Sequence, residues 1–296
     1  MRHGAALRAC SRLNGLMTPE QAAAQRALAE RFLDLHRPGQ PLLLPNAWDA
    51  GSARLLASLG FDALATTSSG FAATLGRPDG SVTRDEALAH AAAVAAAVDV
   101  PVSGDFEDGF AREPAGVAET VRLIAGTGLA GCSVEDYTRR EDDPVYDLQL
   151  AADRVAAAAE AATAGPARLV LTARAENYLH GRPDLADTIA RLQAYQEAGA
   201  DVLYAPGLTS LADIREVVRS VDRPVNVLAV RGAPPVADLS AAGVSRISVG
   251  GAFAFAALGA LAEAASELRE HGTFGFTRLS ATGREAAGRA FLREAR

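Results

Sequence analysis

The chain has 296 residues, 49% hydrophobic and 22% charged, with 36 acids against 29 bases and a formal charge of −7. The apolar share excludes a disordered polymer, and the acidic balance argues against non-specific nucleic-acid binding, which needs a basic face. All 29 bases are arginine, so lysine Schiff-base chemistry and a P-loop lysine are excluded. Two cysteines, Cys10 and Cys132, cannot build a disulfide framework or a cysteine zinc site, and the expected compartment is a reducing cytoplasm. Arginine and alanine codons are GC-rich and lysine codons AT-rich, so the expected source is a high-GC bacterial genome. No uninterrupted apolar run reaches the roughly 18 residues of a membrane span, so no membrane partner is expected.

Residues 1–17 contain Arg2, His3, Arg8 and Arg12 and no acid. They read as a frayed tail or the product of an upstream start codon. A helix start follows at Thr18-Pro19-Glu20-Gln21: Thr18 can cap, Pro19 suits the first helical position, and Gln21 completes a capping box. From residue 42 onward, short apolar runs alternate with helical patterns. The runs are 42–46, 62–67, 101–107, 130–135, 168–174, 201–205, 224–229 and 245–250. Amphipathic or alanine-rich stretches separate them at 50–59, 84–98, 114–127, 148–164, 183–198, 210–221 and 235–242, and 252–271 follows the last. Eight β-then-α units predict a (β/α)8 TIM barrel over 18–296, with an N-terminal helix and a C-terminal helical extension; a doubly wound open sheet is the alternative.

In a barrel, chemistry sits at the C-terminal strand ends. The third run ends Ser103-Gly104-Asp105-Phe106-Glu107. Strand side chains alternate, so Asp105 and Glu107 are expected on the inner face, with Val102 and Phe106 against the helices. By the same parity Ser133 and Glu135 point inward, as do Thr172 and Arg174, while Cys132 and Val134 point outward. Two like charges about 4 Å apart repel by about 4 kcal/mol at an effective dielectric of 20. Three inward carboxylates therefore need protons, arginines or a cation. Oxygen-only ligands favour Mg²⁺ or Mn²⁺; the alternative is an acid cluster satisfied by Arg174 and loop amides. After the second run, Thr67-Ser68-Ser69-Gly70-Phe71 is either an anion-holding loop or an ordinary turn.

In this order the Ser68-Ser69-Gly70-Phe71 loop, Leu75-Gly76-Arg77-Pro78-Asp79, Asp105-Phe106-Glu107, Glu135-Asp136 and Thr172-Ala173-Arg174-Ala175-Glu176 resemble the isocitrate lyase / phosphoenolpyruvate mutase superfamily over about residues 40–270. The resemblance implies a Mg²⁺-dependent site for small 2-oxo or 2-hydroxy carboxylates, worked through an enolate. It implies that Asp105, Glu107, Glu135 and Asp79 hold the metal, partly through waters, and that Ser69, Gly70 and Phe71 hold the substrate's carboxylate or phosphonyl group. Arg174 would neutralise developing negative charge. It also implies a homo-oligomer, a dimer or a tetramer, with the last barrel helix exchanged between subunits.

Three departures bear on activity. The lyase loop with its lysines, cysteine and histidine is replaced by Asp136-Tyr137-Thr138-Arg139-Arg140-Glu141-Asp142-Asp143-Pro144. The mutase lysine is absent, leaving Arg139 or Arg140 as its substitute; arginine is a poor proton donor but a good carboxylate clamp. Glu107 stands where aspartate is usual, and its extra reach would allow direct ligation of the metal. The expected catalytic groups are Glu135, Arg139 and Arg174. His180, after a strand end, and Trp48, near the end of the first strand, are further candidates for lining the substrate pocket. Cys132 reads as a packed thiol, and His36, ahead of the barrel, is given no role. The expected activity is cleavage of a C–C bond in a small 2-oxo or 2-hydroxy carboxylate. The alternatives are a phosphonomutase or hydrolase acting on phosphonopyruvate, phosphoenolpyruvate or oxaloacetate, and a catalytically degenerate carboxylate-binding protein.

Overall fold

The computed structural model describes residues 18–165 and 167–291; the expected tail over 1–17 and Cys10 lie outside them. Helix α1 (Pro19–Asp34) starts as its sequence dictates: Thr18 Oγ1 accepts from the Gln21 amide at 3.2 Å, and Gln21 Oε1 accepts from the Thr18 amide at 3.0 Å. Its inner residues Ala29 and Phe32 pack with Leu42, Leu44, Ala63, Ala65, Ala130, Val170 and Val202, which point into the barrel. The helix plugs the N-terminal end of the barrel, and the cavity lies at the opposite end.

The strands are β1 (Leu42–Leu44), β2 (Asn46–Ala47), β3 (Leu64–Thr66), β4 (Val102–Asp105), β5 (Gly131–Glu135), β6 (Val170–Arg174), β7 (Val202–Tyr204), β8 (Val225–Leu228) and β9 (Arg246–Ser248). All pairings are parallel; β1 pairs with β9, and β2 with β3. Pro45 has no N–H to give the ladder and splits the expected first strand in two. One half closes on the last strand and the other on the second, so nine segments make eight staves. The helices between them are α2 (Ala50–Ser58), α3 (Ser68–Thr74), α4 (Arg84–Ala95), α5 (Pro114–Ala125), α6 (Leu148–Ala164), α7 (Leu185–Glu197), α8 (Leu211–Ser220) and α9 (Val236–Ala241).

Outward strand residues, including Val102, Phe106, Cys132, Val134, Leu171, Ala173, Leu203 and Ile247, join helix residues such as Leu88, Ile124, Val155, Leu192 and Val217 in one core. Fully burying an aliphatic side chain of this size is worth about 1.5–3 kcal/mol, so this outer shell carries the fold and frees the inner face for polar groups. Cys132 is completely buried there, as parity predicts, and burial pushes its thiol up to about 12. After the barrel, α10 (Ala252–Ser266) runs into a π-helical turn (Glu267–His271) and α11 (Thr277–Phe291), which packs on α2. Only Ala254 of α10 is buried, while Phe253, Phe255, Leu258 and Leu261 are exposed.

Candidate active site

The C-terminal mouth encloses a cavity of about 190 Å³. Its wall includes Asn46, Ser68, Ser69, Asp79, Ser103, Asp105, Ser133, Arg174, Tyr204, Arg246 and Ser248. Strand alternation puts Ser103, Asp105, Ser133 and Arg174 there. Asp105 is fixed on three sides: its amide donates to Thr66 Oγ1 at 2.8 Å, its Oδ2 accepts from the Ser68 amide at 3.0 Å, and its Oδ1 accepts from Arg174 Nη1 at 3.1 Å.

Arg174 is the hub of the acidic side. Its Nη1 meets Asp105, its Nη2 lies 3.0 Å from Glu135 Oε2, and its Nε donates to Glu176 Oε1 at 2.8 Å. Burial pushes the Glu135 and Glu176 carboxyls upward against the pull of Arg174, and the surrounding carboxylates add to that rise. The same carboxylates outweigh burial at Arg174 and hold its guanidinium far above its ordinary value. Asp136 supports the arrangement from behind: it accepts from the Glu176 amide at 2.8 Å, from Arg191 Nη1 at 3.0 Å and from the Tyr195 hydroxyl at 2.5 Å.

Glu107 lines a small recess beside Asp105, outside the wall of the larger cavity, and gets there by a different route from the one alternation predicts. Strand β4 ends at Asp105, and Glu107 has φ 49°, so a turn rather than the pleat aims it. Among the described residues, the non-glycine positions in the left-handed region are Glu107, Phe110 and Arg139. All three lie on the loops after β4 and β5, and left-handed backbone at residues with a Cβ is uncommon and clusters at functional sites. Glu107 Oε2 meets Arg139 Nη2 at 2.8 Å, and the same nitrogen meets Asp108 Oδ1 at 2.9 Å. Arg139 Nη1 also donates to the Gly80 carbonyl at 3.1 Å. Burial pushes the Glu107 carboxyl up to about 7 despite Arg139. Beneath this turn the buried Arg154 donates to the carbonyls of Asp108, Ala111 and Arg112. The β5–α6 loop folds back on itself, with Thr138 N donating to Pro144 O at 2.8 Å and an exposed tip at 141–143.

The expected metal ligands therefore stand apart. Asp105 and Glu135 share Arg174, Glu107 is held by Arg139, and Asp79 sits exposed on its loop at the cavity's edge. Among the described residues no three acid, histidine or cysteine groups converge as a metal-binding cluster. The donor set still suits Mg²⁺, which keeps several waters and is commonly held by one or two carboxylates rather than by an all-protein cage. Five carboxyl groups (Asp105, Glu107, Asp108, Glu135, Glu176) share two guanidinium groups here, a crowding that either a cation or protons on Glu107, Glu135 and Glu176 would relieve.

Ser69 lines the cavity; Gly70 and Phe71 do not. Gly70 is required for packing, since a Cβ there would stand 2.6 Å from Thr67 Cγ2. Phe71 stacks on His90, centroids 3.9 Å apart, over a small recess that Asp105 and Glu107 also line. Trp48 is outside the cavity wall, its carbonyl 2.9 Å from His90 Nε2. His180 is also outside the wall: it stacks on Tyr137 at 3.7 Å, with Nε2 3.7 Å from Glu176 Oε2. Sequence reasoning gave no role to Tyr204, Arg246 and Ser248 in the wall, or to Asp108 behind it. The available signal was a charged residue inside an apolar strand run, at Arg246.

A family model described as phosphoenolpyruvate phosphomutase matches residues 32–269. The chain belongs to the phosphoenolpyruvate mutase/isocitrate lyase superfamily. A crystal structure from Burkholderia cenocepacia J2315, provisionally named a lyase/mutase, shares 52% identity at a TM-score of 0.88, covering 92% of this chain and 98% of that one. An uncharacterized protein of Mycobacterium tuberculosis (strain ATCC 25618 / H37Rv) is 37% identical over 79% of this chain and 87% of its own. The 2-methylisocitrate lyase of Escherichia coli K12 is 30% identical over 65% of this chain and 70% of its own. The structure of oxaloacetate acetylhydrolase with its product oxalate has a TM-score of 0.79 at 26% identity, covering 90% of this chain and 95% of that one. Among the described residues no helix is long and apolar enough to cross a membrane.

Proposed function

We propose that the protein is a divalent-metal-dependent lyase that breaks a C–C bond in a small 2-oxo or 2-hydroxy carboxylate, leaving an enolate. The observation that carries this reading is Asp105, facing a closed-bottomed cavity with Arg174 beside it and surplus carboxylates behind. Its similarity to 2-methylisocitrate lyase and to oxaloacetate acetylhydrolase supports it. Asp105 would hold Mg²⁺, or Mn²⁺, directly, with Glu107, Glu135 and Asp79 reached through water. Bound there, the ion would supply Lewis-acid polarisation of the substrate's oxygens. The hydroxyl of Ser69 would orient the substrate carboxylate. Arg174, charged at every working pH, would stabilise negative charge as it moves onto the substrate. Arg139 clasps the β5–α6 loop to Glu107, Asp108 and Gly80, which would keep water from the mouth.

We also propose that copies associate through the exposed apolar side chains of α10, as a dimer or tetramer, and that the enzyme is cytoplasmic. One observation favours a second reading: Arg174 is already shared by three carboxylates and the β5–α6 loop has no cysteine or histidine, as in a carboxylate-binding protein without turnover. Oxaloacetate, methylisocitrate, dimethylmalate, phosphonopyruvate and phosphoenolpyruvate, each with Mg²⁺ or EDTA, separate the two, with proton and phosphorus NMR reporting which bond breaks. The lyase reading expects C–C cleavage that EDTA abolishes and that Asp105→Asn lowers at least about 100-fold. Binding without product across the set supports the second reading and refutes the first. Loss of a P–C bond instead would move the protein to the phosphonate branch.

A further inference from the structure

On the side of the mouth away from Asp105, the inner face of β9 presents a second arginine. Arg246 is only 4% exposed, yet it lines the cavity. Its Nε donates to Asn226 Oδ1 at 2.9 Å, and its Nη1 to Thr172 Oγ1 at 3.1 Å and to His36 Nε2 at 3.3 Å. All three partners are neutral. His36, at the end of α1, is pushed down to about 3 by burial and by Arg246 itself, so its Nδ1–H donates to the Phe32 carbonyl at 2.8 Å and its Nε2 is an acceptor. Among the described residues no carboxylate forms an ion pair with Arg246, and its hydrogen bonds are made by Nε and Nη1, not by Nη2. Burial lowers Arg246 to about 10, which leaves it cationic near neutrality. A buried cation without a counter-charge is costly to maintain, and here it lines the cavity of the mouth.

We propose that Arg246 is a second anion-binding group of this mouth, and that the cavity takes a short dicarboxylate with one carboxylate on the Asp105–Arg174 side and the other on Arg246. The class follows from the layout. Two buried guanidinium groups line one small cavity, and Tyr204, whose ring centroid lies 5.2 Å from Arg174 Cζ, lines it with them. At about 190 Å³ the space admits a small acid. The second arginine donates to neutral acceptors (Asn226, Thr172, His36), and among the described residues no acid competes for it. The inference rests on the mouth being the substrate site, but its test needs no turnover.

Malate and lactate differ by one carboxylate, so their dissociation constants report the second pole. Calorimetric titration in chloride-free buffer, with Mg²⁺ and with EDTA, is expected to show malate bound at least about tenfold tighter than lactate, the worth of one charged hydrogen-bonded pair. Arg246→Gln is expected to bring the two ligands to within about twofold of each other, with lactate itself little changed. Asn226→Asp places a carboxylate at the Nε contact and pairs the cation internally; it is expected to raise the melting temperature and remove the malate preference equally. If Arg246→Gln does not fold, Asn226→Asp decides alone. Wild-type protein that binds malate no better than lactate overturns the proposal, as does a folded variant that keeps the full preference. Absence of product in the substrate panel would refute the lyase reading and leave this result standing.

Discussion

The two sides of the mouth solve opposite electrostatic problems. On the side of β4 to β6, Arg174 is surrounded by Asp105, Glu135 and Glu176, and Arg139 by Glu107 and Asp108. On the side of β8 and β9, Arg246 has only amide, hydroxyl and imidazole partners. One wall is short of positive charge and the other of negative. A substrate that arrives with a cation at one end and an anionic group at the other would relieve both. Buried charge therefore marks a site best where its compensation is incomplete, and the two walls are incomplete in opposite senses.

The sharpest test of this contrast is stability. Arg174→Met leaves three buried acids without their cation and is expected to lower the urea-unfolding free energy by about 3–5 kcal/mol. Arg246→Gln orphans no carboxylate and is expected to cost only about 1–2 kcal/mol, the worth of its lost hydrogen bonds. Equal costs at the two positions would break the comparison. The next effect is in pH. Glu107 has its folded-state carboxyl raised by burial from 4.5 to about 7, so the folded protein binds the extra proton between those values. Its contribution is fully present below about pH 4.5 and is lost as pH rises through 7. Urea midpoints across that window are expected to fall less steeply in Glu107→Gln than in the wild type; parallel slopes would remove Glu107 from the account. The smallest effect belongs to Arg139, a partly exposed residue whose pairs solvent screens. Arg139→Ala is expected to cost less than about 1 kcal/mol while speeding proteolytic cleavage within 138–144, because the loop loses its clasp to Gly80, Glu107 and Asp108. An unchanged cleavage rate would show that the loop's own hairpin holds it.

Much of the acidic wall was legible from alternation. Asp105, Ser133 and Arg174 face the cavity because they share strand parity, and Cys132 and Val134 face the helices for the same reason. Glu107 was expected on the inner face by alternation, but its position depends on a left-handed turn that period-two reasoning cannot anticipate. Glu176 belongs to a recognisable segment, yet its pairing with Arg174 needed the strand end to curl back. His36 had no local signal, since it lies ahead of the barrel and acquires a role only when α1 plugs the barrel floor and sets the ring beneath Arg246.

The alternation of strands and helices, the cap that starts α1 and the polar face of each strand can be read along the chain, because they follow from periodicity and local hydrogen bonding. The partnering of charges was decided only by the tertiary structure. Residues from β4, β5, β6 and β9 meet through barrel closure, and the sharing of each guanidinium depends on distances of about 3 Å between segments far apart in the chain.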